Sequence, residues 1–485
     1  MQPKHPKSHL THALNHVTHK AIRWCTPSID LTFAQVKNPY ASDTSTSFES
    51  LGYPSDPSGV FKKVYEHAAS AYGAQHTLFS VNGTTGSNFM VLRALSKQIP
   101  NLRMLAQRNV HRSIVAACED YGINLFFLEP NIDQTHQLFL PNTVEQICEG
   151  IERIKPQVLL LTNPTYEGLC LDLKHVIATV REKSQEMIMY VDEAWGAHLH
   201  FSDKLPISAM DAGADICVQS THKQGGSLQQ SGMIHWREGR INNDLLVESY
   251  RSLGTSSPSY LLLASLDAAR ETMQKKGKKK IDHILTTAKH LSDETSKISG
   301  LHVISVDDLT TNYSSVRDRD NSKVIVDVTG TGFNGYDVAN ILDSKYKILV
   351  ESYNLKTILF LVPFRATAAD VHTTVAALKE IVRKPKKNGV AMEYNLIIPT
   401  NIPKILDLHE MTKLQVDQIE RVPLDRAVGR IAAEHITPFP PGIPITIKGE
   451  ELTREIIEYY IALKAYPNVH IAARDKSVEY VWVVK

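Results

Sequence analysis

The sequence predicts an α/β protein: a mostly parallel sheet covered on both faces, then a smaller α/β unit and a C-terminal α+β unit. Three observations predict it. Short apolar runs alternate with helix-patterned stretches from residue 59 onward, the order that builds a parallel sheet with crossover helices. A turn of small residues, Asn82-Gly83-Thr84-Thr85-Gly86-Ser87, joins a strand-like run to a helical one. With 485 residues, 42% hydrophobic and 22% charged, the chain has the composition of globular domains and the length for two to four of them.

Residues 1–58 read as an arm. Its five histidines, His5, His9, His12, His16 and His19, would share one helix face, a spacing that suits zinc or an amphipathic helix lying on the body. No carboxylate or cysteine is interleaved, and no metal is expected. Residues 60–72 have helical apolar spacing, 77–81 read as a strand, and a helix is expected near 88–97. Strands are expected at 124–128, 158–162, 187–191 and 216–219. Residues 259–273 read as a long helix ending in the basic run 275–280, favourable to the helix dipole. Strand-like runs at 322–328 and 357–362 flank a helix at 336–345, residues 383–389 resemble a linker, and a proline-rich turn occupies 439–444. The division expected is 1–58, 59–315, 316–384 and 385–485.

Charge and cysteine content exclude several classes. Lys+Arg number 53 and Asp+Glu 52, a net charge of +1, which lacks the basic excess of a nucleic-acid binder. Five scattered cysteines without a C-x-x-C pair fit a reducing compartment better than a disulfide scaffold. No apolar leader or membrane-length run is seen, and the expectation is a cytoplasmic protein without a membrane or nucleic-acid partner.

Three features sit at predicted strand ends. The Asn82–Ser87 turn offers hydroxyls and a helix N-terminus, which suit a phosphate, though such turns are common. Asp192, in Tyr190-Val191-Asp192-Glu193-Ala194-Trp195, is either a helix cap or a carboxylate able to hold a pyridinium N–H. Lys223, in Gln219-Ser220-Thr221-His222-Lys223, is either a surface lysine or a Schiff-base lysine. The ordered combination is more specific than its parts.

With these motifs the sequence resembles the Orn/Lys/Arg decarboxylases, pyridoxal-phosphate enzymes of the aspartate-aminotransferase-like fold type I. The resemblance runs from about residue 42 to the C-terminus. It rests further on Asp43 with Leu51-Gly52, Arg108-Asn109-Val110-His111-Arg112-Ser113, Thr162-Asn163-Pro164-Thr165-Tyr166-Glu167-Gly168, Ser256-Ser257-Pro258, Val428-Gly429-Arg430-Ile431 and Pro440-Pro441-Gly442-Ile443-Pro444 with Gly449-Glu450. It implies a large domain on a seven-stranded-type sheet. It also implies that Lys223 forms an internal aldimine with pyridoxal 5′-phosphate, Asp192 pairs with the ring nitrogen and His111 stacks on the ring. Thr84, Thr85, Ser220 and His222 would bind the phosphate, and Trp195 and Thr165 would line the cofactor's edge. Thr255 and Ser256 would reach the phosphate of a neighbouring protomer, making a homodimer the smallest active unit. The reaction implied is decarboxylation of a basic L-amino acid, arginine ahead of lysine or ornithine, through a quinonoid that Lys223 or His222 reprotonates. Glu450 and Glu167 are candidate partners for the substrate's cationic end.

The sequence departs from the family in four places. Its length does not accommodate the response-regulator-like N-terminal domain of the large members. Cys25-Thr26-Pro27-Ser28-Ile29 stands where the family has a Pro-Gly-His-Lys type motif, and Gln224-Gly225-Gly226-Ser227 is smaller and more polar than the usual aliphatic run. Arg365, after a predicted strand, is either a solvated strand end or a clamp for the α-carboxylate. A clamp would favour an oxygen-using oxidase or an aminotransferase, the competing readings; a non-catalytic protein on the same scaffold is the third.

Overall fold

In the computed structural model, residues 21–29, 43–44, 51–56, 58–383, 396–439, 442–466 and 469–485 are described. The five arm histidines, Pro440, Pro441 and most of the expected linker lie outside them.

The central element is a seven-stranded sheet. Its strands are β2 (His76–Ser80), β3 (Arg103–Ala106), β4 (Asn124–Phe127), β5 (Val158–Thr162), β6 (Ile188–Asp192), β7 (Ile216–Gln219) and β8 (Gly232–Trp236), in the order β2-β8-β7-β6-β5-β3-β4. Only β8 runs antiparallel to its neighbours. The period of two along each strand sorts the side chains onto two cores. Met104, Ala106, Val158, Leu160, Ile188, Tyr190, Ile216 and Val218 face one. Leu105, Leu159, Leu161, Met189, Val191 and Cys217 face the other. Burial on both sides explains why these strands read as continuous apolar runs.

Helices α1 (Gly59–Ala71), α2 (Gly83–Gln98) and α3 (Arg112–Tyr121) pack on the first of these faces. The second helix begins at Gly83, five residues before the expected start, so the small-residue turn forms its first turn. Gly83 adopts φ +58, a conformation side chains resist, which turns the chain sharply from β2 into the helix. A second departure concerns the basic run. The long helix α4 spans Tyr260–Thr295, and Lys275–Lys280 lies in its middle, not at its end. The buried stripe Met273, Gly277, Ile281, Ile284 continues through the run, and apolar packing on that face carries the helix onward while Lys275, Lys276, Lys278 and Lys279 stay exposed.

A second sheet joins β9 (His302–Ile304), β10 (Lys323–Asp327), β12 (Ser352–Tyr353) and β13 (Thr357–Leu361) in the order β9-β10-β13-β12, every pair antiparallel. The expected α/β pattern is therefore an antiparallel sheet covered by α4, α5 (Gly335–Tyr346) and α6 (Ala368–Arg383). The N-terminal strand β1 (Ile22–Trp24) pairs in parallel with β11 (Ile348–Val350). Near the C-terminus, β14 (Ile419–Pro423) pairs with β15 (Tyr480–Val484), and α7 (Arg454–Lys464) buries Ile456, Ile457, Tyr460 and Leu463 against them. Among the described residues no helix is long and apolar enough to cross a membrane.

Candidate active site

The carboxyl ends of β5, β6 and β7 open on a cavity of about 180 Å³, where ligands bind in parallel α/β sheets. Asp192, Trp195, Lys223, His111, Thr84 and His222 line it. Five of these stand within three residues of a strand or long-helix end, so the sheet itself fixes their spacing.

Asp192 closes β6 and is 2% exposed. Asn88 Nδ2 donates to it at 3.2 Å and the Ala194 N–H at 3.1 Å. Burial pushes its carboxyl up, while Lys223, Asn88 and the Ala194 amide pull the other way. Tyr190, one strand step earlier on the same face, holds Asn88 from its other end through the hydroxyl. Asp192 is therefore a fixed acceptor aimed at the cavity.

Lys223 sits in the single turn Thr221–Gln224 after β7. Its carbonyl accepts from the Ser28 N–H at 3.0 Å, tying the N-terminal segment to the site. Its Nζ lies 3.7 Å from the centre of the Trp195 ring. Burial lowers its ammonium to about 8, opposed by Asp192 and Glu351. His111 faces the cavity from the start of α3, its Nδ1 2.8 Å from Ser113 Oγ. Burial, with Lys223 and Arg112 nearby, lowers it to about 4, so its ring is neutral at pH 7. His222 is likewise lowered to about 4 by burial. Its Nδ1 meets the Ser231 carbonyl at 2.7 Å, which assigns the proton to Nδ1.

Thr84 Oγ1 and Ser220 Oγ lie 2.9 Å apart, joining the start of α2 to the end of β7. Asn82 makes no side-chain cap there; the Gly83 N–H is given to the Gln230 carbonyl at 2.6 Å, which leaves the next helical N–H groups, those of Thr84 and Thr85, for an anion. Thr85 lines the same end of the cavity. Gly232 allows this approach, because a Cβ there would lie 2.7 Å from the Gln219 carbonyl and 3.3 Å from Gly83. The donor set fits pyridoxal phosphate in three parts: N–H groups and hydroxyls for a phosphate, a carboxylate for a ring N–H, an amine for an aldehyde.

The remaining expected residues fall elsewhere. Thr165 is fully buried but does not line the cavity, since its hydroxyl donates to Glu167 at 3.1 Å and accepts from the Leu169 N–H. Glu450 is not free for a substrate. It is 3% exposed and paired with Arg108 at 2.5 and 3.0 Å. Arg365 lies on an exposed turn after β13 and does not line the cavity. Its neighbour Phe364 is held inward by the Ser28 hydroxyl, which leaves the arginine facing out. Thr255 and Ser256 line a separate groove of about 830 Å³ with Asn82, Gln230 and Arg251.

Three residues were missed. Glu351 is a buried carboxylate that accepts from the Thr26 N–H at 2.6 Å and the Tyr166 hydroxyl at 3.0 Å; burial pushes it up while Lys223 pulls it down. Tyr166 packs edge-on against Trp195, ring centres 4.6 Å apart. Lys323 lies 4.4 Å from the same indole. The rule that picked out Asp192, a carboxylate ending an apolar run, applies equally to Glu351 after Leu349-Val350.

Comparison with known proteins adds a history to this geometry. Residues 33–318 match the model of the Orn/Lys/Arg decarboxylase major domain, and residues 402–469 that of the C-terminal domain of the same family. An arginine decarboxylase of Bacillus subtilis is 36% identical over 83% of this chain and 81% of its own length. One of Halalkalibacterium halodurans is 36% identical over the same shares. The solved structure of the constitutive lysine decarboxylase of Escherichia coli superposes with a TM-score of 0.76 at 21% identity, covering 98% of this chain and 81% of that one. At that identity the likeness shows the fold, fold type I.

Proposed function

The chain belongs to the Orn/Lys/Arg decarboxylase family and is an amino-acid decarboxylase, and from that premise we propose that it decarboxylates arginine, ahead of lysine or ornithine, with bound pyridoxal 5′-phosphate. The observation that carries this is the meeting of the Lys223 amine, the Asp192 carboxylate and the open start of α2 in one cavity. The arginine preference is supported by the arginine decarboxylases at 36% identity.

The cofactor supplies an electron-accepting ring for the bond that breaks at the substrate Cα. The chain's own residues do the rest. Thr84, Thr85 and Ser220 would bind the phosphate with their hydroxyls; the neutral His222, its one proton given from Nδ1 to the Ser231 carbonyl, has no N–H left at Nε2 to donate to it. Asp192 holds a proton at the ring nitrogen, the position where charge accumulates. His111 and Trp195, both lining the cavity, would flank the ring, the first over its face and the second along its edge. Lys223, lowered to about 8, would hold the cofactor's aldehyde carbon and supply the proton returned to the substrate Cα. Glu351 and Glu167 are the carboxylates left for the substrate's cationic end, now that Glu450 is paired with Arg108. Residues 59–315 would form the cofactor body, with 316–384 and 385–485 packed beside it. Two copies form the working unit in this reading, and the exposed hydroxyls of Thr255 and Ser256 beside Asn82 support a reach toward a second copy's phosphate.

The test is incubation with arginine, lysine and ornithine separately, with products identified and oxygen uptake recorded. The corresponding amine and carbon dioxide without oxygen uptake are expected, fastest with arginine. An aldehyde or keto acid formed with peroxide would overturn the reading in favour of an oxidase.

A further inference from the structure

A second lysine shares the Trp195 ring with Lys223. Lys323 opens β10, is 1% exposed, and donates from Nζ to the Tyr166 carbonyl at 3.0 Å. Its Nζ lies 4.4 Å from the indole centre and that of Lys223 3.7 Å, a ceiling of about 8 Å between the two nitrogens. Nothing in the cofactor site requires a second buried cation there.

The charged surroundings set its effect. Around Lys323 stand Asp320, Glu167, Glu351 and the Cys170 thiol. Burial lowers the Lys323 ammonium, and Asp320 foremost opposes it. Against burial, His198, Lys323 and Ser322 hold the Asp320 carboxyl low, so it stays ionised, accepting from the Ser322 N–H and hydroxyl at 3.0 and 2.7 Å and lying 3.2 Å from His198. Glu167 and Glu351 are both pushed up by burial, which reduces the negative charge they offer. Around Lys223 the groups are Asp192, Glu351 and Lys323, with the neutral rings of His111 and His222. A lysine must shed its proton before it attacks a carbonyl, and an adjacent cation promotes this.

We propose that Lys323 is a positioning residue for Lys223: held beside the Trp195 ring, its buried cation eases the proton off the Lys223 amine and so readies it to capture an aldehyde. This rests on Lys223 being the cofactor lysine, so the test reads the amine both with and without the cofactor.

In the full-length chain freed of cofactor, acetylation of Lys223 by acetic anhydride is followed against pH from peptide masses. The visible absorption of the pyridoxal-phosphate-loaded enzyme is titrated in parallel. At an effective dielectric near 20, a unit charge about 8 Å away is worth one to two pH units. Lys323→Met should raise the Lys223 acetylation midpoint by that amount, while Lys323→Arg, which keeps the charge, should hold it within about half a unit. Lys323→Gln gives a second neutral variant should the methionine fail to fold, as judged by circular dichroism. Unmoved midpoints in the neutral variants would overturn the proposal. So would an arginine variant shifted as far as the methionine one, which would mean that shape and not charge is what matters. Failure of the cofactor reading looks different: no visible band appears on loading, while the acetylation midpoints still separate.

Discussion

Glu450→Gln separates a structural carboxylate from a substrate-binding one. In the structure Glu450 and Arg108 are both buried, paired through both guanidinium nitrogens at 2.5 and 3.0 Å. The second carboxylate oxygen also accepts from the Ile447 N–H at 2.7 Å, and Arg108 donates to the Ile445 carbonyl at 2.8 Å while lying over the Phe127 ring. The pair thus fastens the segment around residues 444–450 to the strand end at Arg108. Glutamine keeps the shape and removes the charge, leaving the guanidinium buried without a counter-ion. Breaking a buried pair on one side costs about 3 kcal/mol or more. Spread over local opening of a multidomain chain, this is best read by amide hydrogen exchange and not by a single melting point. A loss of about 3 kcal/mol corresponds to exchange in residues 442–466 faster by roughly two powers of ten. The KM for the basic amino acid should change less than about twofold, because Glu450 has no free oxygen for it. Unchanged exchange combined with a KM raised tenfold or more would refute the structural reasoning and return Glu450 to the substrate.

Further outcomes follow from the same geometry. Lys223→Ala should abolish the visible band formed with pyridoxal phosphate and reduce turnover by at least about 10³-fold; spectra and initial rates check this, and an undiminished band would remove Lys223 from its role. Gly232→Ala would drive a Cβ into the Gln219 carbonyl and the backbone of Gly83, so a cofactor dissociation constant raised at least about tenfold is expected by equilibrium dialysis, with the fold retained by circular dichroism. His111, His222 and His235 are lowered by burial to about 4, 4 and 3. The folded state then binds fewer protons than the unfolded one between about pH 6.5 and 4. The histidines' contribution to stability is therefore complete above about pH 6.5 and lost as pH falls, opposed in part by Glu193, which burial pushes up to about 8; a urea midpoint that stayed level from pH 7 to 4.5 in a Glu193→Gln background would contradict it.

Much of the site was legible because it lies at strand ends. Asp192 directly follows five apolar residues and Lys223 comes one turn after the apolar run Ile216-Cys217-Val218, and a strand buried on both faces can place a charge only at its end. The start of α2 was misplaced by five residues because glycine and threonine look like a turn; Gly83 supplies the turn, and the hydroxyls belong to the helix. Thr165 and Glu450 were misjudged for a shared reason. Each is a polar residue in a good motif, but its partner decides its role. Glu450's partner, Arg108, lies 342 residues away in sequence, a distance no local pattern spans.

What the sequence by itself determined was the parallel sheet, the family, and the ordered turn, aspartate and lysine, because apolar period and strand-end position are local properties. Only the tertiary structure decided that Tyr166 lines the cavity, that Glu351 and Lys323 come close to Lys223 and Trp195, that Glu450 is paired with Arg108, and that Arg365 faces out. The Glu351 and Arg365 assignments depend on the antiparallel sheet and the segment at Thr26–Ser28 meeting the end of β7, and that of Glu450 on the C-terminal unit reaching Arg108. Burial then gives these residues their chemistry, since a carboxylate or an amine changes its proton affinity through the neighbours that packing brings to it, not through the residues beside it in the chain.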